Sequence, residues 1–178
     1  MTALPNPAAA TLVPLDDVDP ALVEDLLDRA FEPERRQRTA YKIRGEHSDA
    51  LGALSFAAIG PDDRLAGTIQ CWPVALTPPG ARAVPLIMVG PVAVLPEYQG
   101  AGYGQALMLA SLGALSPEAP LPLMMIGDPE YYGRFFGFSA EHTGGWTVPG
   151  PCDPARLLCR ALRAELLPRE GMLGPWRS

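Results

Sequence analysis

Residues 86–108 read Leu-Ile-Met-Val-Gly-Pro-Val-Ala-Val-Leu-Pro-Glu-Tyr-Gln-Gly-Ala-Gly-Tyr-Gly-Gln-Ala-Leu-Met. An apolar run breaks at a proline, a glycine-rich hexapeptide follows at residues 99–104, and an aliphatic stretch begins at once. That order predicts a buried strand, a tight loop and the first turn of a helix. Glycine lets the backbone turn sharply and brings N–H groups close to a ligand with no Cβ in the way. The opening turn of the helix adds unpaired N–H donors and the positive end of its dipole. Such a corner suits a phosphate or pyrophosphate. One segment therefore constrains both the fold and the ligand class.

Composition narrows the frame around it. A chain of 178 residues, 48% hydrophobic and 19% charged, is long enough to bury a core and reads as one globular domain over 1–178. Irregular ends are expected at 1–10 and 166–178. No apolar run approaches the roughly 18 residues that a membrane helix needs. The first ten residues lack the basic and apolar stretches of a signal peptide, which predicts a cytoplasmic protein without a membrane partner. The net charge is −6 and Lys42 is the only lysine, a balance unsuited to holding nucleic acid non-specifically. Cys71, Cys152 and Cys159 fit neither a metal pattern nor an even disulfide framework, and read as buried or inert thiols. No cluster has metal-ligand spacing, so no metal is expected.

Along the chain, residues 11–14 predict a short strand. Asp19-Pro20 supplies an N-cap and an N1 proline for a helix whose apolar stripe is Leu22, Val23, Leu26, Leu27 and Ala30. Residues 28–47 read as a loop with one or two short helices. Strands are expected at 54–59 and 65–74 around the turn Gly60-Pro-Asp-Asp63, and at 84–94 after a turn at 78–80. A helix follows at 102–115, then a strand at 121–126, a helix at 131–136 stopped by Gly137, and a strand at 146–148. Residues 156–162 carry two signals. Asp153-Pro154 looks like a helix start, but isolated propensity is the weaker prior and a last strand is the preferred reading.

Two nucleotide loops can be set aside. A Walker A loop would end in Gly-Lys-Ser/Thr, but Gly104 is followed by Gln105-Ala106. A dinucleotide fingerprint begun at Gly100 would need glycine where Gln105 stands. The segment instead resembles the acyl-CoA-binding motif Gln/Arg-x-x-Gly-x-Gly/Ala of the GNAT N-acetyltransferases, through Gln99, Gly102 and Gly104. A second stretch, Gly127-Asp-Pro-Glu-Tyr-Tyr-Gly-Arg-Phe-Phe-Gly-Phe, resembles a strand-to-helix segment of the same family. Together the two stretches are similar to the bacterial YhbS-like predicted acetyltransferases.

The resemblance implies an α/β (α+β) fold with a mixed, mostly antiparallel sheet flanked by helices and two splayed central parallel strands. It implies acetyl-CoA as acyl donor, with Gln99, Gly100, Ala101, Gly102, Tyr103, Gly104 and Gln105 around the pyrophosphate. Val92, Ala93 and Val94 would pair with pantetheine, and Gly90-Pro91 would provide a bulge or bend. Acetyl transfer to a primary amine needs a deprotonated nucleophile, a stabilised oxyanion and a proton for the leaving thiolate. The family tyrosine that supplies this proton corresponds to Tyr132, with Tyr131 second. Relatives carry Tyr-Tyr-x-Arg-Phe-Gly-Phe and this chain has one residue more. One residue turns a helix by about 100°, so either tyrosine can face the thiol. Asp128 reads mainly as an N-cap, Glu97 as solvated, and His47 and His142 as isolated. Arg35, Arg36 and Arg38 read as a solvated basic face, and Trp72 and Trp146 as core residues. The acceptor is a small-molecule or peptide amine of undefined identity, and a homodimer is a family habit. The competing reading is a non-catalytic acyl-CoA-binding or interaction module on the same fold.

Overall fold

The computed structural model describes residues 10–118 and 120–177. Its elements are β1 (Thr11–Pro14), α1 (Pro20–Phe31), α2 (Thr39–Arg44), β2 (Phe56–Ile59), β3 (Leu65–Thr77), β4 (Val84–Val94), α3 (Tyr103–Gly113), β5 (Leu123–Ile126), α4 (Pro129–Phe136), β6 (Gly145–Thr147), β7 (Leu157–Arg160) and β8 (Glu170–Pro175), with short 3-10 turns among them. The strands make one mixed, mostly antiparallel sheet in the order β1-β2-β3-β4-β5-β7, with β8 paired to β3 and β6 to β8. β4–β5 and β6–β8 are parallel, while β1–β2, β2–β3, β3–β8 and β5–β7 are antiparallel. The α/β class and the mostly antiparallel sheet are as expected. Two compact units share the chain. One holds the described residues of 1–35, 50–71 and 91–115, the other those of 36–49, 72–90 and 116–178.

In the first unit, the Asp19 carboxylate accepts the Ala21 N–H at 2.9 Å and Pro20 begins α1. Val23, Leu26 and Leu27 recur at helical spacing and pack with Leu15, Ala57, Ala93 and Leu95. Ala57 is the register partner of Thr68, and Ala58 that of Gly67. Opposed residues of a ladder share a face and alternate along it. Thr68 therefore points to the α1 side of the sheet and Gly67 to the other. A Cβ on Gly67 would stand 2.6 Å from the Ala93 carbonyl oxygen and 3.2 Å from Leu107 of α3, so only glycine lets β3, β4 and α3 approach this closely. On that same side the Ser111 hydroxyl of α3 donates to the Leu54 carbonyl at 2.5 Å and takes the Cys71 thiol at 3.9 Å. Burial pushes the Cys71 thiol up to about 11, with the Ser111 contact pulling weakly the other way.

The basic run after α1 departs from the expected solvated face. Arg36 and Arg38 are exposed, but Arg35 is 1% exposed. Its Nε donates to Asp28 at 2.9 Å and its guanidinium also pairs with Glu24. Those carboxylates lie one turn apart on α1, and a guanidinium enters a dry site only when its charge is matched in this way.

In the second unit, α2 buries Thr39 and Ile43, and the Thr39 hydroxyl donates to the Pro151 carbonyl at 2.6 Å. The Arg44 guanidinium lies over the rings of Tyr41 and Trp72, 3.9 and 3.8 Å from their centroids. Trp72 and Trp146 are buried, as expected of core residues. Asp153-Pro154 does start a helical turn, but only a 3-10 turn over Pro154–Arg156, after which β7 pairs with β5. The expectation of an irregular 166–178 is overturned by β8. Met172 to Pro175 pair antiparallel with Thr77 to Val74 of β3, and Glu170 to Met172 run parallel to β6. The segment has weak strand propensity of its own and gains its structure from partners remote in sequence. The expected irregular start lies outside the described residues apart from Ala10.

Candidate functional site

In the first unit, β4 ends at Val94, and the Leu95 N–H donates to the Ala66 carbonyl at 2.9 Å. A 3-10 turn, Pro96–Tyr98, leads into the glycine loop. Gly100 and Gly102 have φ of +82° and +87°, the left-handed region that favours glycine. Gly102 is the N-cap of α3, and its carbonyl accepts the Ala106 N–H at 3.0 Å. The amides of Tyr103, Gly104 and Gln105 are then first-turn donors without an intrahelical acceptor. Among the described residues, the amides of Gly100, Ala101 and Gly102 have no backbone acceptor. The Gln99 amide does, donating to the Pro96 carbonyl at 3.3 Å. Of the expected residues 99–105, Gln99 thus has its amide engaged, while Gly100 through Gln105 form a continuous run without a backbone acceptor among the described residues. Gln99 takes part through its side chain, whose Nε2 donates to the Val94 carbonyl at 3.3 Å. The six amides sit at the positive end of the α3 dipole, an arrangement that can grip a diphosphate. Upstream, Ala93 is buried while Val92 and Val94 are half-buried.

The β4–β5 register covers Ile87↔Leu123 and Met88↔Met124. Two residues later Gly90 takes φ +126°, a backbone conformation that favours glycine, at the Gly90-Pro91 step where a bulge or bend was expected.

In the second unit, the Asp128 carboxylate accepts the Glu130 N–H at 3.0 Å and caps α4, with Pro129 in the first turn. Asp128 is committed to that role. Tyr131 and Tyr132 follow, edge-on to one another with centroids 4.9 Å apart. The Tyr132 ring also packs near Phe136 and Phe138, at 6.3 and 6.4 Å. A Cβ on Gly127 would come within 2.8 Å of it. Burial, first, and the neighbouring Tyr131 and Asp128 push the Tyr132 phenol up to about 12, against a weaker pull from Arg156. Tyr132 is therefore a neutral, protonated phenol at physiological pH. Gly137 adopts the left-handed C-cap, Phe136 turns inward and Phe135 is 43% exposed. Tyr132 and Phe136, four residues apart, share a helix face and pack together.

The remaining expected residues do not assemble into a site. Glu97 forms an exposed ion pair with Arg29 at 2.9 Å. His47 is exposed and His142 half-buried. Cys71 and Cys159 are buried free thiols and Cys152 is half-buried. No metal-holding group occurs among the described residues, and no helix among them is long and apolar enough to cross a membrane. Three contacting residues were assigned no site role from the sequence: Tyr98, Asp62 and Gly127. The Tyr98 hydroxyl lies 2.7 and 2.9 Å from the two Asp62 oxygens. No spacing rule links those positions. For Gly127 the only signal was a glycine directly before the Asp128-Pro129 cap.

The profile of the Acetyltransferase (GNAT) domain matches residues 14–140. The chain is 28% identical over 136 residues to the Uncharacterized N-acetyltransferase YhbS of Escherichia coli, covering 75% of this chain and 77% of that protein. The crystal structure of the Escherichia coli GNAT family N-acetyltransferase YhbS in complex with CoA is similar with a TM-score of 0.69 and 21% identity, over 99% of this chain and 92% of that one. A GNAT family acetyltransferase from Brucella melitensis in complex with acetyl-CoA is similar with a TM-score of 0.52 and 24% identity, over 86% and 96%. With most of its length matched by the domain profile and its fold shared with these structures, the chain belongs to the GNAT acetyltransferases.

Proposed function

We propose that this chain is an N-acetyltransferase that moves the acetyl group of acetyl-CoA to a primary amine by direct attack. The observation that carries the reading is the run of unspent amides from Gly100 to Gln105, set by two left-handed glycines at the head of α3. Relatives with the same fold hold CoA and acetyl-CoA. The amides bind the diphosphate, and the Val92 to Val94 backbone pairs with the pantetheine amides beyond Gly90. A backbone N–H of that stretch polarises the thioester carbonyl. The amine, having lost a proton to solvent, attacks the carbonyl carbon and forms a C–N bond. The tetrahedral adduct then collapses with C–S cleavage. The departing thiolate takes the Tyr132 phenolic proton, which burial keeps in place at neutral pH. No acyl-enzyme is formed, because Cys71 and Cys159 are buried with their thiols pushed up by burial. The acceptor is a small-molecule or peptide amine.

Calorimetric titration with CoA and acetyl-CoA, followed by free-thiol release over a panel of amines, tests the reading. Binding with thiol release that depends on the amine is expected. Binding without release for every amine would favour an acyl-CoA-binding module, and no binding would reject both. Tyr132→Phe is expected to lower turnover at least about tenfold at similar acetyl-CoA affinity. Unchanged turnover would take Tyr132 out of the mechanism.

A further inference from the structure

The turn that feeds the glycine loop is held from two sides. Glu97, in its middle, pairs with Arg29 of α1 at 2.9 Å. Tyr98, at its end, reaches the turn between β2 and β3, where its hydroxyl lies 2.7 and 2.9 Å from the two Asp62 carboxylate oxygens. This contact is the leading reason that the Asp62 carboxyl falls below its ordinary range and that the Tyr98 phenol rises. The ring of Tyr98 packs over Gly60 of the same turn, where a Cβ would stand 2.9 Å from it. Its other neighbour is Tyr103, met edge-on with centroids 5.8 Å apart. Tyr103 is the first residue of α3. The two tyrosines thus stand at the entry and the exit of the loop, and one hydroxyl ties the pair to a hairpin outside it.

We propose that the Asp62–Tyr98 hydrogen bond is a latch that preorganises the glycine loop for a diphosphate, making both side chains positioning residues for the acyl donor. The inference rests on the acetyl-CoA reading above. Its physical basis is entropic. A segment carrying two left-handed glycines has many accessible backbone states, and ordering them at the moment of binding weakens affinity. A latch that orders the loop beforehand removes that cost without touching the ligand. Asp62 and Tyr98 act on binding of the diphosphate and leave the acetyl-transfer step alone.

Tyr98→Phe keeps the ring on Gly60 and Tyr103 and deletes only the O–H. It is expected to raise the Kd of CoA about three- to tenfold, as when a binding-competent loop becomes a minor state. kcat at saturating acetyl-CoA should stay the same. So should KM for acetyl-pantetheine, a thioester arm without the diphosphate, and the thermal midpoint should hardly move. Asp62→Ala should reproduce this behaviour, Asp62→Asn should restore most of the affinity through its amide oxygen, and the Asp62→Ala/Tyr98→Phe double variant should be no worse than either single one. An unchanged CoA Kd in Tyr98→Phe, additive losses in the double variant, or an equal loss with acetyl-pantetheine would overturn the latch. If the wild-type protein gave no heat with CoA, the acetyl-CoA reading and the latch would fall together. Wild-type binding with an indifferent Tyr98→Phe would remove the latch alone.

Discussion

Gly127→Ala should disable the proposed proton donor without altering that residue. The new Cβ would stand 2.8 Å from two carbons of the Tyr132 ring and 3.2 Å from the Met125 methyl, where ordinary contact begins at 3.4 Å. Gly127 cannot retreat, because its N–H donates to the Arg156 carbonyl at 3.0 Å and its own carbonyl accepts Arg156 Nε at 3.4 Å. Nor can the Tyr132 backbone, whose N–H is bonded to the Asp128 carbonyl at 2.9 Å and whose carbonyl takes the Phe138 N–H at 3.2 Å. The ring itself must give way by roughly 0.6 Å or more, against Tyr131, Phe136 and Phe138. Overpacking of this kind costs about 1–3 kcal/mol of stability. Misplacing a catalytic group by about 1 Å can cost on the order of a hundredfold in rate. A fall of about ten- to a hundredfold in kcat is therefore expected, with CoA affinity unchanged. Thiol release at saturating acetyl-CoA and calorimetry with CoA measure the two quantities. In a Tyr132→Phe background the same substitution should cost little further rate. A Gly127→Ala protein with kcat within about twofold of its parent would refute the reasoning.

Gly102→Ala places a side chain at φ +87°, which costs about 1–2 kcal/mol, and should weaken CoA binding by about tenfold in calorimetry as the Tyr103 and Gly104 amides turn away. Thr68→Val removes a fully buried hydroxyl that has no hydrogen-bond partner among the described residues. Urea melts should show stability unchanged or raised by up to about 1 kcal/mol, and a clear loss would mean that the hydroxyl is bonded. The alkaline limb of stability follows from Tyr132 and Cys71, raised from 10.0 to about 12 and from 9.0 to about 11. The native state keeps protons that the unfolded chain gives up, so stability is full below about pH 9 and falls as pH rises toward 12. Each group contributes a slope of about 1.4 kcal/mol per pH unit within its window. Melts of Tyr132→Phe should be flatter between pH 10 and 12, and an unaltered slope would contradict the assigned burial.

Local chemistry was enough to read much of the framework from the chain. Asp19-Pro20 and Asp128-Pro129 cap α1 and α4 because a carboxylate and an adjacent proline satisfy the first turn wherever they occur. Val84 to Val94 forms β4 from end to end, and the loop after it turns at Gly100 and Gly102 as its glycines require. The anion-seeking amides were legible for the same reason, since a glycine turn and a helix start create them from neighbouring residues alone.

What escaped depends on partners that local patterns do not specify. The burial of Arg35 is decided by Glu24 and Asp28 on the preceding helix, and the strand at Glu170–Pro175 by β3 and β6. The engagement of the Gln99 amide is decided by the turn at Pro96. The Tyr98–Asp62 contact brings a hairpin turn to the entry of the loop, and the Gly127–Tyr132 contact singles out one of two adjacent half-buried tyrosines. Amino-acid type and short spacing determine what a backbone segment can do. Tertiary contact decides which amides, charges and rings are already engaged, because close packing joins groups whose separation along the chain carries no signal.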